Sequence, residues 1–264
     1  MMLDWLQGSA WEAAYFGLIG LFVGSFLNVC IDRYEAGESV VFPASHCTDC
    51  GHRLSVLDLV PVLSWIFLRG RCRYCGAPLS IAYPVSELLT GAVFAVSVYV
   101  LGLTSATAVT LVAASLFIVL SGIDLRLYIL PDRLTIPAAV LSLPAAVYGL
   151  ELSFWSALIG GLAGGLVFWL MAVYYHWRTG REGLGLGDAK LMLSLGCLTG
   201  LERISLLVVL ASVAALAVFI AVRLVRGKKA QGMRLAFGPY LCGVCWVNLV
   251  WGETIWRAWL ELIL

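Results

Sequence analysis

Four residues, Gly185-Leu186-Gly187-Asp188, place a carboxylate among glycines at the mouth of an apolar stretch. A second carboxylate, Asp124, closes another apolar run that begins near Ala106. An acid at the centre of a membrane helix costs about 2.5–3.5 kcal/mol on insertion scales, so such residues are rare and usually functional. Two that meet at one membrane face hold the parts of an aspartic protease. The ionised carboxylate is the general base on water, and the protonated one is the general acid. Asp132 competes with Asp124 for the first role. It follows Pro131 and precedes Arg133-Leu134-Thr135, which suits the start of a helix, where a carboxylate meets the positive end of the dipole. Asp124 instead continues an unbroken apolar run, which favours it as the functional acid. Glycines at 183, 185 and 187 disfavour a stable helix, each costing about 1 kcal/mol relative to alanine. They suit a backbone that approaches an extended substrate strand closely. Lys190, next to this loop, either tunes Asp188 or marks the interface.

A second constellation is made of thiols. Cys47-Thr48-Asp49-Cys50 and Cys72-Arg73-Tyr74-Cys75 are two C-x-x-C pairs, each followed at once by a glycine, Gly51 and Gly76. Two short bites brought together by a hairpin-like excursion are what tetrahedral thiolate coordination of zinc requires. Cys47, Cys50, Cys72 and Cys75 therefore form a candidate structural zinc site with no open position for catalysis. His46 and His52 flank the first pair, but four cysteines already fill it. Cys242-Gly243-Val244-Cys245 has the same spacing inside an apolar run with no partner pair, and reads as helix packing.

These groups must be positioned by membrane helices. Apolar residues make up 61% of the 264 positions and charged residues 12%, outside the globular balance. Apolar runs near the roughly 20 residues that cross a bilayer are expected at about 11–31, 84–103, 106–124, 133–150, 154–176, 187–202, 204–224 and 237–259. The fold class expected is an all-α polytopic membrane protein of about eight spans. Its parts are a first span at 1–31, a zinc-binding cytoplasmic segment at 32–83, and a seven-helix membrane domain at 84–264. Met1 to Gly8 has no basic n-region, so the first span reads as an anchor. With eight spans, the segment 32–83 and the loops near 124–133, 177–190 and 223–235 share one side. They hold five, two, three and five basic residues, fifteen of the 17 in the chain. The positive-inside rule makes that side cytoplasmic, and with it the face carrying Asp124 and Asp188.

The ordered motifs resemble a family. They run from Gly24-Ser25-Phe26-Leu27-Asn28-Val29 through Phe42-Pro43-Ala44-Ser45-His46-Cys47, Leu68-Arg69-Gly70-Arg71-Cys72 and Tyr83-Pro84-Val85-Ser86-Glu87-Leu88. The second half adds Asp124 with Ile129-Leu130-Pro131-Asp132, then Gly185 to Lys190, then Phe237-Gly238-Pro239. As a set they look like a bacterial type IV prepilin peptidase, the bifunctional leader peptidase and N-methyltransferase of pilus and type II secretion systems. The resemblance implies Asp124 and Asp188 as the catalytic pair, with Gly185, Gly187 and Lys190 in support. It also implies the four-cysteine site, S-adenosylmethionine as methyl donor, an inner-membrane location, and prepilins or pseudopilins as substrates. Such a substrate has a short basic leader, a glycine before the cut and an apolar helix after it. Glu35, Glu38, Asp49 or Asp58 could attract the basic leader or simply form a solvated face. No glycine-rich nucleotide fingerprint locates the methyl donor. Two other readings remain open from the residues: a presenilin-like protease of other substrates, which shares G-x-G-D but not the zinc segment, and a non-enzymatic zinc-bearing scaffold or transporter.

Overall fold

Ser9 and Glu12 cap each other's backbone at the start of the first helix, α1 (Ala10–Ala36), and Gly37 closes it with φ 71°. Both ends are thus fixed by local chemistry that satisfies otherwise orphaned backbone groups. The computed structural model describes residues 7–180, 185–227 and 235–263. Arg181, Gly183, Lys228, Lys229 and Arg234 lie outside the described residues. Within them every regular element is helical, with two isolated β-bridges. After α1 come a 3₁₀ turn (Val56–Leu59), α2 (Leu63–Phe67), α3 (Ala82–Leu101) and α4 (Ser105–Leu127). Then follow α5 (Asp132–Pro144) with a π turn (Ala145–Gly149), α6 (Phe154–Thr179), α7 (Leu186–Arg226) and α8 (Gly238–Ile263).

Five of the described helices are long and apolar enough to cross a membrane: α1, α3, α4, α6 and α7. The expected count of eight is not recovered on this measure, for three reasons. α5 runs for only 13 residues before its π turn. The expected sixth and seventh spans are joined in α7, 41 residues long. The second half of α8 carries Glu253, Arg257 and Glu261. A straight helix of α7's length would reach roughly 60 Å, about twice the hydrocarbon thickness of a bilayer. It is not straight: Gly200, at φ 72° and ψ 170°, breaks it. That backbone conformation is essentially confined to glycine. The Ser156 hydroxyl accepts the Leu201 N–H at 3.2 Å, capping the helix that restarts after the break.

The chain forms two compact units. One comprises residues 1–107 and 111–119, the other 108–110 and 120–264. In the first, α1 packs along α3 through small residues. A Cβ at Gly20 would lie 2.9 Å from Gly91 Cα, and one at Gly24 would lie 2.8 Å from Glu87 Cα. Buried Asn28 bonds across this seam, donating to the Tyr83 carbonyl at 3.3 Å and accepting the Ser86 hydroxyl at 2.6 Å. In the second unit α7 packs on α5, α6 and α8. The glycines of α6 let it approach closely: a Cβ at Gly160 would sit 2.6 Å from the Gly196 carbonyl oxygen. Close backbone approach through small residues is how helices associate where lipid removes the hydrophobic drive.

Candidate active site and cysteine cluster

Asp124 lies in the last turn of α4 and Asp188 in the first turn of α7. Asp124 is buried, 6% exposed, and Asp188 is partly exposed. The two carboxyl groups interact electrostatically. Leu130, in the connection from α4 to α5, lies against both sides of the pair. A Cβ on Gly187 would meet Leu130 Cβ at 2.8 Å, and one on Gly238 would meet Leu130 Cδ2 at 3.4 Å. Glycine at position 187 is therefore a spatial requirement. Tyr128, at φ 55°, begins the tight reversal that brings Leu130 there.

Asp124 has a specific partner. The Gly238 N–H, at the opening of α8, donates to Asp124 Oδ2 at 3.0 Å in a buried setting. A Cβ at Gly238 would stand 2.7 Å from that oxygen. Cys242, one turn on, is fully buried and within electrostatic reach of both aspartates, with Ser121 hydrogen-bonded to it. Gly238→Ala is expected to displace Asp124 and lower any activity that depends on this pair about 10²-fold, the penalty typical of a small misplacement at a reacting group. Gly243→Ala, on the same helix with nothing within 4 Å of the added methyl, should leave activity unchanged.

Asp132 and Lys190 form a different pair. Asp132 is the first residue of α5, and Lys190 Nζ lies 2.6 Å from its Oδ1, with both side chains substantially exposed. The lysine thus engages the helix-starting acid. Gly185 precedes α7, and a Cβ there would lie 3.3 Å from Asp188 Oδ2.

In the first unit the two C-x-x-C pairs form matching knuckles. Cys47 N–H donates to the His52 carbonyl at 2.9 Å and Gly51 N–H to the Cys47 carbonyl at 2.8 Å. The second repeats this, Cys72 N–H to Ala77 at 2.8 Å and Gly76 N–H to Cys72 at 2.9 Å. Gly51 and Gly76 have φ of 68° and 75°, which the tight turns demand. The sulfurs of Cys47, Cys50, Cys72 and Cys75 all lie within 4.8 Å of one another. Tetrahedral ligation with bonds near 2.3 Å puts sulfurs about 3.8 Å apart, so the cluster fits a metal ion. Cys47 and Cys75 are already at 3.9 Å. Thiols this close do not ionise alike. N–H groups of Cys75 and Tyr74 directed at Cys72 bring it down to about 7. Cys75 receives the Ala77 N–H, which pulls the same way, yet desolvation and the crowding thiols push it up to about 12.

Asp58 ties this cluster to the 3₁₀ turn. Its carboxylate accepts the Ser55 hydroxyl at 2.7 Å, Arg73 Nε at 2.6 Å and the Tyr74 hydroxyl at 3.1 Å. Burial works to raise its carboxyl, but the hydrogen bonds from Ser55, Arg73 and Tyr74 outweigh it and hold it at about 2. A carboxyl depressed on folding adds stability above its unfolded value of about 4 and loses it as pH falls through the folded one, so this tie holds fully at neutral pH. Beside it a cavity of about 230 Å³ opens between the end of α1 and the knuckles, lined by Asn28, Asp32, Glu38, Trp65 and Tyr83 among others.

A multi-pass helical membrane protein with a carboxylate pair in one unit and a four-thiol cluster in the other is the class these features define. The chain matches two family models, the bacterial peptidase A24 N-terminal domain over residues 18–101 and the type IV leader peptidase family over residues 111–220. It is 34% identical to the prepilin leader peptidase/N-methyltransferase of Aeromonas hydrophila, covering 98% of each chain. The Pseudomonas putida protein of the same name is 33% identical over 96% of this chain and 97% of its own. That of Dichelobacter nodosus is 32% identical over 91% and 92%. No solved structure matches. The chain belongs to the type IV leader peptidase family.

Proposed function

We propose that this protein removes the basic leader of type IV prepilins or pseudopilins after glycine, at the cytoplasmic face of the bacterial inner membrane, and then methylates the freed amine. The observation that carries the reading is the Asp124–Asp188 pair, backed by full-length similarity to relatives named for both activities. A backbone N–H only donates, so the Gly238 bond marks Asp124 Oδ2 as an accepting oxygen. A donated N–H favours the charged form of a carboxyl, which supports Asp124 as the base and Asp188 as the acid. Two neighbouring carboxylates share one proton and titrate as a pair. Asp124 takes a proton from water as the water oxygen attacks the glycine carbonyl carbon, and Asp188 donates its proton to the carbonyl oxygen. Collapse of the tetrahedral species breaks the C–N bond: the leaving amine takes the proton held by Asp124, and one hydroxyl proton of the diol returns to Asp188.

The four cysteines hold zinc in a structural role, closed to substrate. S-adenosylmethionine, when bound, supplies an electrophilic methyl group on a sulfonium. The cavity beside the knuckles is a candidate place for it, where Trp65 would meet the aromatic base and Asp32 and Glu38 the positive charge. The amine attacks as its neutral form, and a free α-amino group with a pKa of about 7.7–8.0 needs little help to reach it. The two activities should separate. Asp188→Asn should still transfer label from S-adenosylmethionine to a pre-cleaved pilin. Asp32→Asn should raise the KM for the donor about tenfold, the equivalent of about 1.4 kcal/mol, with leader cleavage intact. No label on the pilin, under conditions where cleavage by the unaltered protein is complete, would reduce this chain to a peptidase.

A further inference from the structure

The segment between α1 and α3 turns an apolar face outward. On α2, Leu63, Ile66 and Phe67 sit at the i, i+3 and i+4 positions of one helical face and are 52%, 55% and 80% exposed. Trp65 and Leu68, which line the cavity, occupy its other side. The 3₁₀ turn that packs on α2 adds Val56 and Leu57, 82% and 69% exposed. Leaving such side chains in water is unfavourable in proportion to the apolar area exposed. Exposed Arg69 and Arg71 follow immediately along the chain.

Three observations point to lipid as the cover for this face. The segment is held at both ends by helices apolar enough to cross a membrane, so a bilayer surface is always within reach of it. Val85, Leu88 and Leu89 are exposed at the start of α3, so along the chain the segment leads into a membrane helix with exposed apolar residues of its own. The two arginines beside α2 match the phosphates of an anionic leaflet, which attracts basic residues near its surface. We propose that α2 and the adjoining 3₁₀ turn lie on the membrane, with Val56, Leu57, Leu63, Ile66 and Phe67 seated among the headgroups and Arg69 and Arg71 on lipid phosphates. Elements of this kind bury their apolar face about 5–10 Å into the boundary between headgroups and acyl chains. The cysteine knuckles are thereby held at a fixed height over the bilayer, beside the emerging end of α1.

The test uses the full-length protein in nanodiscs of phosphatidylglycerol and phosphatidylethanolamine, with an environment-sensitive fluorescent amino acid inserted singly at position 57 or 67. Position 80, an exposed serine, serves as the aqueous control, and position 18, an exposed leucine of α1, as the lipid control. Retained metal content verifies that each labelled protein is folded. Lipids carrying a nitroxide near the headgroup should quench positions 57 and 67 as lipid-facing residues and leave position 80 bright. Replacing the anionic lipid with phosphatidylcholine, or introducing Arg69→Gln with Arg71→Gln, should weaken that quenching. Positions 57 and 67 as bright as position 80 would overturn the proposal. So would protection that arises only on adding a prepilin, which would make this face a dock for substrate.

Discussion

Asp124→Asn and Asp188→Asn should each lower leader cleavage roughly a thousandfold, within the 10²–10⁴ range that a positioned acid or base contributes. Asparagine keeps the shape of aspartate and can still accept the Gly238 N–H, so both variants remain folded in the membrane. It cannot cycle a proton. Asp132→Asn is the informative control. Its carboxylate is exposed and pairs with an exposed lysine, a contact worth about 0–1 kcal/mol. It should retain most activity, and so should Lys190→Gln. A dead Asp132→Asn beside an active Asp124→Asn would assign the first carboxylate to the wrong helix.

Cys47→Ser, Cys50→Ser, Cys72→Ser and Cys75→Ser should behave alike, because the four sulfurs close one site. Zinc contributes about 10–16 kcal/mol of apparent binding energy in small finger peptides, and in such sites that is folding energy. The segment between α1 and α3 has only one 3₁₀ turn and the five-residue α2 of its own, so little else would hold it. Each variant should lose its metal and expose this segment to protease. Cys242→Ser and Cys245→Ser, buried in α8, should keep the full zinc content. Purified protein with no zinc and eight thiols that alkylate under native conditions would remove the metal from the account.

What was legible in the sequence was local. The cysteine knuckles could be read because two residues between thiols and a glycine after them specify the turn without help from elsewhere. Asp124 and Asp188 stood out because an acid in or beside an apolar run is costly. The residues that organise them could not be read the same way. Gly238 belongs to a recognisable Phe-Gly-Pro motif, but its N–H meets a carboxylate 114 residues away. Leu130 stands in the Ile-Leu-Pro-Asp motif, but only the fold seats it against Gly187 and Gly238. Lys190 stands two positions from Asp188 and yet engages Asp132, 58 residues distant. Gly200 is one of 27 glycines, and only its backbone angles distinguish the break in α7 from the packing glycines of α6. The cavity beside the knuckles gathers Asn28, Glu38, Trp65 and Tyr83 from four separate stretches, so no spacing announces it.

The carboxylate pair as a prepilin peptidase is tested most directly by one incubation. Purified protein in detergent is mixed with a prepilin, and the new N-terminus is read by mass spectrometry. The result expected is a single cut after the leader glycine, absent with Asp124→Asn and with Asp188→Asn, and a product carrying one added methyl group when S-adenosylmethionine is present. A cut within the apolar helix, or unaltered prepilin in the presence of folded, zinc-loaded protein, would contradict it.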